Sequence, residues 1–323
     1  MSAAAQQHLK MVIKMQRRRM SKGQRKRKRV RRVKYIYPWA VERQYAAQLK
    51  AWIKPLTKAV NAYLAQHHEA ILRGDSFHAD AIAGKGFHLL ISTMRGWVLQ
   101  HIGNADNKTS ILMMGLGRYA GLTKWSADKE FSKQMVSIIG QDFATSQIWW
   151  DAMLKEWQRS NFARIQTIAN RYIDTVNITV EKAITNGYSW KTLSQQIAEK
   201  NEDLETWQCD RLARDQIGKL NGNIAQAQNK EAGIECYIWQ TAGDDRVRDE
   251  TNSPDDQHAA LDGMLCRWDD ATVYSDDDGK TWQDRPDDWC QEHPGIDIQC
   301  RCCAIPYMDD IVKDSDNEID EEE

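Results

Sequence analysis

A change of texture at Gly233 constrains this chain more than any other feature. Upstream of it, apolar residues recur at three- and four-residue steps over long stretches; downstream they come in short runs separated by Asp, Gly and Pro. The first pattern marks one face of amphipathic helices, the second short strands and turns. The fold class that follows is a mainly α N-terminal region followed by a small α+β C-terminal domain.

In the helical part, Pro38 opens a pattern in which Tyr45, Leu49, Trp52, Leu56, Val60, Tyr63, His67 and Ile71 share a face, with Pro55 expected to kink it. Gly74, Asp75 and Ser76 make a break. The apolar segments Phe87–Ile102, Ile111–Leu122 and Phe131–Ile139 are short, are interrupted by glycines and read as helices. A longer helix runs from Trp149 to an Asn186-Gly187 C-cap. Trp150 and Trp157 lie on one face of it, while Trp149, off that face, suits an interface anchor. Ser189 caps the next helix, and a further one runs from Leu204 through Arg214 to Lys230, ending near Gly233. Tyr237-Ile238-Trp239 reads as a strand.

Charge is polarised along the chain. Lys10 to Lys34 holds fourteen Lys or Arg and no acid, whereas Asp309 to Glu323 holds nine acids and one Lys, although the formal net charge is only -2. Residues 1–36 therefore read as a basic disordered arm, able to fold as a helix when bound, and residues 309–323 as an acidic disordered tail. Lys10 and Lys14 bound the Met11-Val12-Ile13 run, so no signal peptide is expected. No stretch approaches the roughly 20 apolar residues that span a bilayer. A cytosolic chain with reduced thiols follows, and five of its seven Cys fall in the last sixty residues, which raises metal before disulfides.

Several separate blocks then occur in order: Trp239-Gln-Thr241, Asp244-Asp245-Arg246-Val247-Arg248, His258-Ala-Ala-Leu261-Asp262-Gly263, His293-Pro294-Gly295, and Cys300-Arg301-Cys302. Their order and wording resemble the Mu F-like family of phage head morphogenesis proteins over roughly residues 187–307. Two departures stand out. About nine residues, Asp249 to Gln257, separate Arg248 from His258, and Asp215-Gln216 stands where the family often has a Thr-Glu pair. The segments expected are thus the arm 1–36, a helical region 37–186, a head morphogenesis domain 187–308 and the tail 309–323. The resemblance implies a non-enzymatic minor head protein. Such a protein acts in procapsid assembly, with portal, head and scaffold proteins as partners. It resides in the phage head interior of the virion, in the host cytoplasm during assembly, and in some members it affects packaging or release of DNA. No membrane role is expected.

The residues leave certain chemical alternatives open. Cys290 and His293 at C-x2-H spacing, with Cys300 and Cys302 at C-x-C spacing, could hold a structural zinc; the competing reading is buried reduced thiols beside a turn-capping His. Asp244 and Asp245 with His258 as base would suit a metal-dependent nuclease, against a structural turn whose acids are neutralised by Arg246 and Arg248. Arg17, Arg18, Arg19, Arg25, Lys26, Arg27, Lys28 and Arg29 could bind nucleic-acid backbone in a salt-sensitive way, including as a free nucleic-acid-binding protein, or dock on an acidic protein.

Overall fold

The computed structural model describes residues 3–27, 33–72 and 111–322, together with Ser92 and Gly96. Lys28, Arg29 and the expected helix over Phe87–Ile102 lie outside the described residues, apart from Ser92 and Gly96. Contacts divide the chain into two compact units, one of residues 1–39, 121–153 and 215–323, the other of 40–120 and 154–214. Neither unit is continuous, so the compact bodies follow different boundaries from the segments drawn on the sequence. The fold class is as expected: helices first, then a small antiparallel sheet. Among the described residues no helix is long and apolar enough to cross a membrane.

The second unit is built from long helices: α3 (Trp39–Leu72), which continues through Pro55, then parts of α4 (Ile111–Ile139) and α5 (Trp150–Thr185), and α6 (Trp190–Asp203). The apolar stripe expected of α3 is buried at Tyr45, Leu49, Leu56 and Val60, and Leu64 is buried beside it. Tyr45 packs on Tyr119 and Trp157 and donates to Asn161 Oδ1 at 2.7 Å. The caps are those the sequence marks: Gly187 adopts φ +64° after α5, and Ser189 Oγ accepts from the Thr192 amide at the start of α6. One expectation is corrected. Glycines do not divide α4, which runs unbroken through Gly115, Gly117 and Gly121. A Cβ on Gly115 would stand 2.6 Å from the Trp52 indole, so this glycine makes room for a ring and does not end a helix.

The first unit carries the sheet. β1 (Cys236–Gln240), β2 (Leu265–Arg267), β3 (Val273–Ser275), β4 (Gln283–Asp284) and β5 (Cys303–Tyr307) pair antiparallel in the order β4-β3-β2-β1-β5. Pro306, which cannot donate to a ladder, stands opposite Tyr237 on the edge strand β5, where that defect costs least. α7 (Cys209–Ala232) leads into the sheet after a π turn over Leu204–Gln208, and Gly233 at φ +76° ends it. Residues just before α3 are fastened to β1: Tyr35 and Gln240 exchange backbone–side-chain hydrogen bonds, both 2.9 Å.

Both chain ends differ from the disorder expected of them. Ala3–Arg18 is a helix, α1, followed by the short α2 (Lys22–Arg27), and Asp309–Glu322 is a helix, α8. Leu9, Val12 and Ile13 of α1 share a core with Phe131, Met135, Ile138, Met308 and Val312. Opposite charges then cross-pair: Lys14 with Glu318 and Glu322, Arg17 with Asp316, Arg18 with Glu322, and Lys22 and Arg25 with Asp320. Each segment alone has too little apolar surface to offset its ordering entropy; together each supplies the other's missing face and counter-charge.

Candidate functional site

Three pieces of chain converge beside β1. Tyr237 and Trp239 alternate onto one face of that strand and form a buried cluster with Leu261, Cys266, Trp268, Cys290, Cys300, Cys302 and Ala304. His258, just before a one-turn 3₁₀ segment at Ala259–Leu261, is 2% exposed and lies edge-on to the Trp239 ring at 5.8 Å and 72°. Its Nδ1 is 3.5 Å from Cys300 Sγ and 3.6 Å from Cys302 Sγ. Its Nε2 is 3.3 Å from Asp297 Oδ2 and 3.0 Å from Arg248 Nη1.

The loop that carries the cysteines is held by close backbone contact. A Cβ on Gly218 would stand 2.3 Å from the Cys300 carbonyl oxygen, and one on Gly222 would stand 2.4 Å from the Pro294 carbonyl oxygen. These two glycines, four apart, form a bare strip on α7 that admits the 294–300 loop. Asp215, one turn earlier, accepts from the Gln299 amide at 3.1 Å, and Gln299 itself adopts φ +58°. Gly295, at φ +85°, donates its amide to Cys300 Sγ at 3.3 Å, and the Cys302 amide reaches the same sulfur at 3.4 Å.

Electrostatics follow from this geometry. Burial opposes charge on His258, yet hydrogen bonds to Asp297, Cys290 and Cys300 outweigh it and push its pKa up to about 12. Burial likewise opposes a Cys300 thiolate, but hydrogen bonds from Cys302 and His258 and the imidazolium charge hold the thiol well below its usual range. Cys302 moves the other way, raised by its hydrogen bond to Cys300 and by burial. Burial opposes charge on Asp297 too, but bonds from His258, the Ile298 amide and Arg248 hold its carboxyl below the usual range.

Arg248 anchors the surrounding loop. It pairs with Asp256 and Asp297 and reaches the Ile298 carbonyl, while its own carbonyl accepts from the His258 and Ala259 amides, both at 2.9 Å. Here the Asp249–Gln257 insertion returns the chain to His258. The remaining motif residues have structural partners. Thr241 bonds Asp262 through its amide and hydroxyl, and Gly263 takes φ +82° while donating to the Trp239 carbonyl. Arg301 lies over the Trp39 ring at 4.5 Å and 3.6 Å from Asp244. The Arg246 amide donates to Asp244, and Asp245 is exposed.

Two sequence expectations are therefore rearranged. His293 Nδ1 meets the Tyr237 hydroxyl at 3.0 Å and its ring packs on Trp268, whereas it is His258 whose Nδ1 lies near Cys300 and Cys302. Among the described residues, the groupings of potential ligands place His258 with Cys300 and Cys302 and with Asp256, Cys290 and Asp297, but not with Asp244 or Asp245; the nuclease constellation is not assembled. The basic residues Arg17, Arg18 and Arg25 face the carboxylates of α8. Trp149, read as an interface anchor, donates its indole N–H to Glu231 at 2.7 Å and serves an internal contact. The Gly218/Gly222 strip and the Asp215 contact escaped the sequence reading, although the four-residue glycine spacing was visible.

Comparison with known proteins gives three findings. A family model described as Phage Mu protein F like protein matches residues 174–305. An uncharacterized protein of Haemophilus influenzae is 28% identical over 277 residues, which cover 84% of this chain and 55% of that protein; the chain spans about half the length of this relative. No solved structure matches. The segment similar to the Phage Mu protein F like family takes in α7, β1 to β4, the start of β5 and every residue of the His258 cluster.

Proposed function

We propose that this chain is a minor head protein of a tailed phage that docks at the portal during procapsid assembly. The observation that carries the reading is the Mu F-like match across the whole site region. The buried cluster supports a binding role, because its two thiols beside His258 are closed to solvent: Cys300 is 6% and Cys302 4% exposed. A partner-facing surface is available elsewhere. Trp207 is 57% exposed on the π turn, with Arg211 over its ring at 5.0 Å. Exposed Trp beside Arg is the composition enriched at interface hot spots.

A DNA-directed role for the basic arm is a weaker part of this reading. Lys14, Arg17, Arg18, Lys22 and Arg25 face α8, so phosphate would have to displace carboxylates already in place. The test is co-expression of the tagged chain with the portal protein of the same phage and no other phage component. A complex that survives moderate salt is expected, weakened by Trp207→Ala. Retention of DNA without portal would overturn the docking reading in favour of a nucleic-acid-binding protein.

A further inference from the structure

We propose that His258, Cys300 and Cys302 form a closed structural site for one zinc ion, with His258 Nδ1 and the two sulfurs as ligands. The argument begins with spacing. Zinc held at about 2.3 Å by thiolate and about 2.0 Å by imidazole in a tetrahedron sets sulfur and nitrogen about 3.5 Å apart. The two sulfurs lie 3.5 and 3.6 Å from Nδ1. All three ligand atoms lie within 4.8 Å of one another, and all three residues are buried.

The surroundings fit the same ion. A ligating imidazole commonly donates its other N–H to a carboxylate, which fixes the tautomer; Nε2 faces Asp297 Oδ2 at 3.3 Å, and Arg248 holds that carboxylate in place. Ligand sulfur carries negative charge, and Cys300 Sγ receives two backbone amides, from Gly295 and Cys302. Cys290 offers a further sulfur, within 4.8 Å of a His258 ring nitrogen.

The chemistry selects the metal and the role. Two thiolates and an imidazole suit a borderline-soft ion such as zinc and not calcium or magnesium. Burial of every ligand leaves no path for substrate, so the site is structural. Regular secondary structure braces little of the surrounding chain. β2, β3 and β4 are three, three and two residues long, and the chain between Thr241 and Arg301 is mostly turns. A metal bridging His258 to a loop 42 residues further on would cross-link a region with little regular structure.

The test is metal analysis of the full-length chain expressed with zinc. About one zinc ion per chain is expected, lost in His258→Gln and Cys300→Ser but kept in His293→Gln and Cys266→Ser. Because the ligand variants could fail to fold, two further measurements are made on proteins that keep a ligand set. Cobalt added to chelator-treated wild type should give a thiolate-to-cobalt charge-transfer absorption and restore the thermal transition. His258→Cys should retain zinc and strengthen that absorption when loaded with cobalt. No metal in zinc-reconstituted wild type, or metal that survives His258→Gln and leaves with His293→Gln, would overturn the assignment.

Discussion

The helical unit and the sheet-bearing unit are held together in different ways. In the first, long apolar stripes such as Tyr45–Leu49–Leu56–Val60 interlock, and most positions contribute area more than shape. In the second, a few contacts fix the result: two glycines against a backbone loop, one Arg on two carboxylates, one imidazole between two sulfurs. Apolar packing spreads its tolerance over many residues, whereas close backbone contact and buried polar groups concentrate it in a few.

The sharpest break of that contrast is a glycine pair. Gly218→Val puts side-chain atoms into the Cys300 carbonyl and is expected to cost about 3 kcal/mol or more. Gly117→Ala in the helical unit meets only the end of the flexible Gln158 side chain at 3.1 Å and should change stability by less than about 1 kcal/mol. Urea unfolding of the two variants checks this, and equal effects would dissolve the distinction. Next in size, Leu64→Ala in the helical unit should lose about 2–3 kcal/mol by leaving a cavity, with no effect on the binding or release of any metal in the sheet region.

A smaller effect separates the units by pH. Burial, with the charges of Arg285 and Lys230, lowers the pKa of His293 to about 4 from an ordinary 6.5. The proton is therefore bound more tightly by the unfolded chain, and the sheet-bearing unit should lose stability as pH falls from about 6.5 towards 4. The loss is at most about 2 kcal/mol once solvent screening is allowed. Asp297, whose carboxyl is depressed, loses its contribution only below the ordinary Asp range near 4, so the two effects are resolved on a titration. His293→Gln should flatten the stability profile between pH 4 and 6.5. The smallest effect concerns α1 and α8: their exposed ion pairs should weaken in high salt, so that protease reaches the termini sooner while the unfolding midpoint barely moves.

What could be read from the sequence follows the same division. The α3 and α5 stripes, the Gly187 and Ser189 caps, the β1 strand and the ordered motif blocks were legible because each is local. Three features were not. The α1–α8 pairing joins segments some 300 residues apart, and each looks disordered until its partner is present. The continuity of α4 through Gly115 depends on Trp52, which periodicity alone cannot assign. The approach of His258 rather than His293 to Cys300 and Cys302 is not legible either, since C-x2-H spacing points to the near histidine while the chain path from Arg248 delivers the far one.

The most direct test of the assembly role is the content of purified procapsids made with and without the portal protein, measured by quantitative mass spectrometry of this chain. The account predicts that the chain is present in portal-bearing procapsids and absent from portal-less shells. Equal amounts in both, or none in either, would contradict it.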